Sequence, residues 1–138
     1  MQKSTQELLH RLKETDDIQI YLDENNGEII KETIQGYING LLEIKRLKLS
    51  DVAARSGQGD YVYKVFGGKR KASRDILLAV SVGMGLTLAE TQLLLRIAQT
   101  AQLDPRNRRD SVIIYALHNN MAVVKANEIL YDIGEVSL

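Results

Sequence analysis

Cysteine is absent from the 138 residues, so no disulfide framework, thiolate nucleophile or thiolate-bound zinc is open to this chain. Proline occurs once, at Pro105, and phenylalanine once, at Phe66, beside six tyrosines. With so few chain breakers and so many Leu, Ile, Ala, Glu and Lys, helices are favoured over sheets. No apolar run approaches the ~20 residues needed to cross a bilayer, and Met1 to Arg11 lacks the apolar core of a signal peptide. The expected compartment is therefore the cytoplasm, with no membrane contact. Recognisable catalytic and metal-binding spacings are missing too. His10 and His118 are far apart, neither has a partner at ligand spacing, and there is no nucleophile elbow. Gly67-Gly68-Lys69 is not a phosphate loop, which needs glycine at position 63 and Ser or Thr at 70, where Tyr63 and Arg70 stand. Asp23 to Glu28 is acidic and ends beside glycine, yet Leu22 occupies the place where a calcium loop needs an acid. A non-enzymatic protein without metal or cofactor is the expectation.

What is present is an ordinary apolar fraction of 44%, enough for one core. The length suits one domain with short helical extensions. The net charge is zero, but it is unevenly spread. Residues 1–32 hold four Lys/Arg against eight Asp/Glu, a net of −4; residues 33–74 hold nine against three, a net of +6; residues 75–138 hold five against seven, a net of −2. A basic middle flanked by acidic ends is the pattern expected if one face meets phosphate and the rest keeps the chain soluble.

Local signals divide the chain into about eight helices in one continuous body. Ser4-Thr5-Gln6-Glu7 is a capping box opening a helix from about Thr5 to Glu14. Ile18, Ile20 and Leu22 alternate as in a strand, but no second strand exists to pair with them. A short helix capped by Asp16 or Asp17 and ending near Asn25-Asn26-Gly27 is preferred. From Thr33, Ile34, Ile38, Leu41 and Leu42 recur at helical spacing over about 14 residues. Ser50 is expected to cap Asp51 to Arg55, Gly57-Gln58-Gly59 to turn, and Asp60 to cap Tyr61 to Phe66. Gly67-Gly68 then stops that helix, Ser73 caps Arg74 to Val82, and Gly83-Met84-Gly85 stops the next. A second capping box, Thr87-Leu88-Ala89-Glu90, opens a helix to about Ala101. Asp104-Pro105 starts a new unit, with proline suited to the first helical turn. Helices over Asp110 to Leu117 and Ala122 to Ile133 complete the chain. The expected division is an amino-terminal helical extension (1–32), a helix-turn-helix domain (33–102) and a carboxy-terminal helical pair (103–138) on the same body.

The informative feature is the order of the short helices. Two helices joined by a three- to four-residue, glycine-containing turn form the DNA-binding helix-turn-helix arrangement. Ala53 and Ala54 supply the small residues that let the second helix cross closely, and Val62 and Val65 supply its buried stripe. The segment Leu47-Lys48-Leu49-Ser50-Asp51-Val52-Ala53-Ala54-Arg55-Ser56-Gly57 resembles the opening of the Cro/CI-type family, the lambda repressor-like or xenobiotic-response-element (XRE) regulators. Phe66-Gly67-Gly68-Lys69-Arg70-Lys71-Ala72-Ser73 is similar to that family's basic loop entering its fourth helix. The likeness covers roughly residues 36–85. It implies an all-α fold whose Asp60–Phe66 helix enters the major groove of double-stranded DNA, and so a transcription regulator. Carried over by position, Ser50 would cap the first helix of the pair and set it on a phosphate. Gln58, Tyr61 and Lys64 would lie nearest the bases, and Lys69, Arg70 and Lys71 would grip the backbone.

The reading face also carries Asp60, Tyr61 and Tyr63 in place of the Arg, Asn or Gln that typically read purines. Tyrosines suit a protein interface as well as stacking. The alternative reading is thus a non-enzymatic adaptor or antitoxin-like module that holds a protein partner with Tyr61, Tyr63 and Phe66. Arg106, Arg108 and Arg109 form a second basic cluster, read as pairing with Asp104, Asp110 or the acidic amino-terminal third rather than with a ligand. Val112, Ile113, Ile114 and Tyr115 are consecutive apolar residues, more than one buried stripe requires, so either the amino-terminal helices or a second chain is expected to cover this helix. Because helix-turn-helix proteins commonly bind as two-fold dimers, a homodimer built on the carboxy-terminal pair is the hypothesis.

Overall fold

In a computed structural model, residues 3–67 and 71–138 are described, and they form nine α-helices and one short 3-10 turn with no strand. The protein is all-helical. Two units are distinct, Met1–Lys31 and Glu32–Leu138.

The first unit holds α1 (Thr5–Glu14), α2 (Ile18–Glu24) and the 3-10 turn Asn26–Glu28. Local chemistry sets its boundaries. The Ser4 hydroxyl accepts the Glu7 N–H at 3.1 Å, and the Asp17 carboxylate accepts the Gln19 N–H at 2.9 Å. The strand-like alternation at Ile18–Leu22 is helical, as preferred from the absence of a pairing strand.

The second unit holds α3 (Ile34–Lys45), α4 (Leu49–Ser56), α5 (Asp60–Phe66), α6 (Arg74–Met84), α7 (Leu88–Ile97), α8 (Arg108–His118) and α9 (Val123–Asp132). Its centre is α6, which packs against α4, α7, α8 and α9. Eight of its eleven residues are buried, Leu77, Leu78 and Val80 completely. Each such aliphatic side chain contributes about 1.5–3 kcal/mol relative to exposure. The one polar group in this stretch, the Ser81 hydroxyl, donates to the Leu77 carbonyl at 2.7 Å and so carries no unpaired donor into the core.

Several expected boundaries change. Helix α4 starts at Leu49 rather than Asp51: the Asp51 carboxylate reaches back to accept the Lys48 N–H at 2.9 Å, so Ser50 lies inside the first turn and does not cap it. Asp60 likewise opens α5 instead of capping it, because Gly59 takes the cap position. Gly83 lies inside α6 and does not stop it; the stop is Gly85 at φ 67°. Helix α7 ends at Ile97, four residues early. Gln99 adopts a left-handed φ of 56° there, and the Thr100 N–H returns to the Leu95 carbonyl at 3.0 Å, a Schellman closure without glycine. Pro105 sits in the turn before α8, whose cap is Asn107, accepting the Asp110 N–H at 2.9 Å.

Helix α3 is fastened to α7 by a polar triad. The Tyr37 hydroxyl donates to the Glu90 carbonyl at 3.1 Å, and Lys45 Nζ lies 3.3 Å from Glu90 Oε1. Partial burial would raise the Glu90 carboxyl, but its hydrogen bonds with Thr87 and the Lys45 ammonium outweigh burial and hold it below its ordinary range. A carboxylate depressed on folding stabilises the fold above the usual carboxylate range and ceases to do so as the pH falls through its folded value. Thermal midpoints measured from pH 7 to pH 3 are therefore expected to fall less steeply for Glu90→Gln than for the parent; parallel curves would remove this role. Burial, with the Glu90 charge as a smaller cause, raises the Tyr37 phenol, so its contribution is lost only at strongly alkaline pH.

Candidate nucleic-acid interface

Helices α4 and α5 meet through a turn that glycine makes possible. Gly57 has φ 74°, Gly59 has φ 55°, and neither conformation is readily open to a residue with a Cβ. The Gly57 N–H donates to the Ala54 carbonyl at 3.3 Å and the Gly59 N–H to the Ala53 carbonyl at 3.1 Å, curling the chain back over the end of α4. Ser56, fully buried, accepts the Gln58 N–H at 3.3 Å through its hydroxyl. Val62 and Val65 then turn into the core, as their spacing predicts.

The surface left by this arrangement is mixed. Asp60, Tyr63 and Lys64 are exposed on α5, with Tyr63 at 44%. Tyr61 and Phe66 are half-buried and pack against the core, so of the three aromatic side chains Tyr63 is the most available. Gln58 is half-buried in the turn, Ser50 is exposed on the first turn of α4, and Lys71 is exposed before α6. Lys69 and Arg70, expected to grip phosphate, lie outside the described residues.

The placement of α4 depends on a close approach. A Cβ at Gly83 would lie 2.9 Å from the Ser56 nitrogen, 3.0 Å from its Cα and 3.1 Å from the Arg55 carbonyl carbon. Glycine here lets α6 touch the backbone of the last turn of α4, just before the Gly57 turn.

Ion pairing separates two populations of cations. Five of the six Lys/Arg in residues 74–138 are held by carboxylates. Arg74 meets Asp110 at 2.9 Å, Arg109 meets Asp75 at 2.8 Å, and Arg106, Arg108 and Lys125 meet Asp104, Glu135 and Glu128 at 3.4–3.8 Å. Arg74 also donates to the carbonyls of Ala101 and Gln102, and the buried Asp110 accepts the Asp104 N–H, so this pair ties α6 to α8. The basic cluster at 106–109 is thus used within the chain, although Arg108 and Arg109 choose Glu135 and Asp75. By contrast, Arg46, Lys48, Arg55, Lys64 and Lys71 make no ion pair among the described residues. In the sequence Arg46, Lys48 and Arg55 are cations of the basic segment like any other; only their lack of an ion pair among the described residues distinguishes them.

A surface groove of about 530 Å3, which nothing in the sequence announces, lies between the ends of α4 and α6 and the start of α9. Met84, Met121, Val123 and Ala54 line it, with Arg55 as its one charged residue. Among the described residues no group of His, Asp and Glu is arranged to hold a metal, and no helix is long and apolar enough to cross a membrane. No protein-family model matches the chain, and no curated protein or solved structure matches it either.

Proposed function

We propose that this protein is a lambda repressor-like helix-turn-helix regulator that binds double-stranded DNA through α4, the Gly57-Gln58-Gly59 turn and α5. The observation carrying the reading is that Arg46, Lys48, Arg55, Lys64 and Lys71 make no ion pair among the described residues, whereas five of the six cations in residues 74–138 lie beside a carboxylate. A charge that has no intramolecular partner is available to a phosphate, and phosphate contacts dominate affinity for duplex DNA. Lys64 on α5 and Lys71 before α6 flank the segment holding Lys69 and Arg70, which joins them in sequence to one basic stretch. Base reading would fall to Gln58, Tyr61 and Lys64, with Ser50 near the backbone.

The protein is proposed to act as a homodimer, since one short module gives weak affinity. Tyr115, Val124 and Tyr131 on α8 and α9 are exposed, the last at 79%, and offer apolar area to a second copy. Fluorescence anisotropy of a labelled duplex at low salt tests the DNA reading, and sedimentation at micromolar concentration tests the dimer. Measurable affinity that falls steeply with salt is expected; a chain that binds no duplex at low salt is not this kind of regulator. In that event the exposed Tyr63, beside Asp60, favours the adaptor or antitoxin-like reading, in which the same surface holds a protein.

A further inference from the structure

The first unit is built the wrong way round for an independent domain. No residue of α1, α2 or the 3-10 turn is buried, and Asn25 is the one buried residue among those described in the unit. What joins its parts is polar. The Lys3 N–H donates to Glu28 at 2.9 Å, the Lys3 ammonium to the Asn25 side-chain oxygen, and the Asn25 amide to the Tyr21 carbonyl at 3.0 Å. Most of its large apolar side chains face solvent instead. Leu9 and Leu12 on α1, and Ile18, Ile20 and Leu22 on α2, are all exposed, Ile18 at 57%. With Ile29 and Ile30 these make seven of the fourteen exposed large apolar residues among those described, in less than a quarter of the chain's length.

Helices of ten and seven residues are too short to be stable alone, so their order must come from burial that the unit itself does not provide. Leu8, Leu9 and Leu12 recur at the spacing of a single stripe, which is how an amphipathic helix enters a groove. Charge decides what the groove must look like. Residues 1–31 carry four Lys/Arg against seven Asp/Glu, a net of −3. That disfavours an anionic membrane surface and nucleic acid, and it sets two copies of the unit against each other. We infer that residues 1–31 are a docking arm for a different protein, one that presents an apolar groove rimmed by lysine and arginine.

The test uses the full chain and a labelled synthetic pair of linked helices of leucine and lysine, whose packed faces form an apolar groove rimmed by lysine, with a leucine–glutamate pair as its counterpart, followed by anisotropy. The basic peptide is expected to bind, and Leu9→Asp/Leu12→Asp to weaken it about tenfold despite adding negative charge. Because that variant can also melt α1, Glu14→Lys/Asp16→Lys/Glu24→Lys supplies the second readout. It keeps the stripe and is expected to lose the basic peptide and gain the acidic one. No binding, or binding indifferent to both variants, overturns the inference. So does a dimer that Leu9→Asp/Leu12→Asp converts to monomer, which would make the occupant a second copy. Amide exchange in residues 5–24 as slow as in α6 in the free chain overturns it as well, since the stripe would then be covered already.

Discussion

Gly83→Ala is expected to destabilise the helical body by about 2 kcal/mol, and Gly83→Val by about 3 kcal/mol or more. The new Cβ would meet three atoms of the α4 backbone at 2.9–3.1 Å, and none of them belongs to a side chain that can swing aside. Relief requires moving α4 as a unit, and overpacking of this kind costs about 1–3 kcal/mol. Three backbone contacts this close place the cost at the upper end of that range, and alanine recovers up to ~1 kcal/mol through its better helix propensity, which leaves a net of about 2 kcal/mol. Valine adds two further carbons at the same point and recovers less. For a body of this size ~1 kcal/mol moves the thermal midpoint by ~4 °C, so a drop of ~8 °C is expected for alanine. A midpoint within ~2 °C of the parent would mean that α6 does not approach α4 this closely. The surface carrying the Gly57 turn and α5 rests on α4, so duplex affinity should fall with stability.

Removing two unpaired cations, Lys64→Ala/Lys71→Ala, is expected to weaken duplex binding by roughly 60-fold at about 0.1 M salt. Each phosphate contact steepens the dependence of log K on log salt by about 0.9, so two lost contacts flatten the slope by about 1.8 and remove that factor at 0.1 M. Both side chains are exposed and neither holds an ion pair among the described residues, so the fold should be little affected. Lys125→Ala is the control, because Lys125 already faces Glu128 on α9 at 3.4 Å. An unchanged slope in the double variant, or an equal loss in the control, would mean that binding reports bulk charge and not this surface.

Much of the helical framework was legible because the signals that make it are local. Ser4, Ser73 and Thr87 each accept an N–H three residues on, and the residues forming each cap are adjacent in the sequence. Asp17 was one of two capping candidates, and the chain uses it. The errors share a cause. Gln99 ends α7 in a left-handed conformation usually given to glycine, and nothing in its chemistry announces it. Ser50 and Asp60 have the side chains of caps, but Asp51 and Gly59 settle those ends first. Gly83 reads as a stop because glycine usually is one; its role depends on where α4 lies, which no neighbour in sequence reveals.

The candidate site divides in the same way. Its glycine turn, its valine stripe and its place in a basic segment follow from composition and spacing. Which cations remain unpaired does not. Arg74 finds Asp110 across 36 positions and Arg109 finds Asp75 across 34, contacts that exist only once α6 and α8 are packed together. The chain alone determined that this protein is helical, where most helices begin, and that its positive charge lies in the middle third. The tertiary structure decided which charges are paired inside the body and which, among the described residues, make no ion pair, because ion pairing depends on separation in space and the sequence orders residues only along a line.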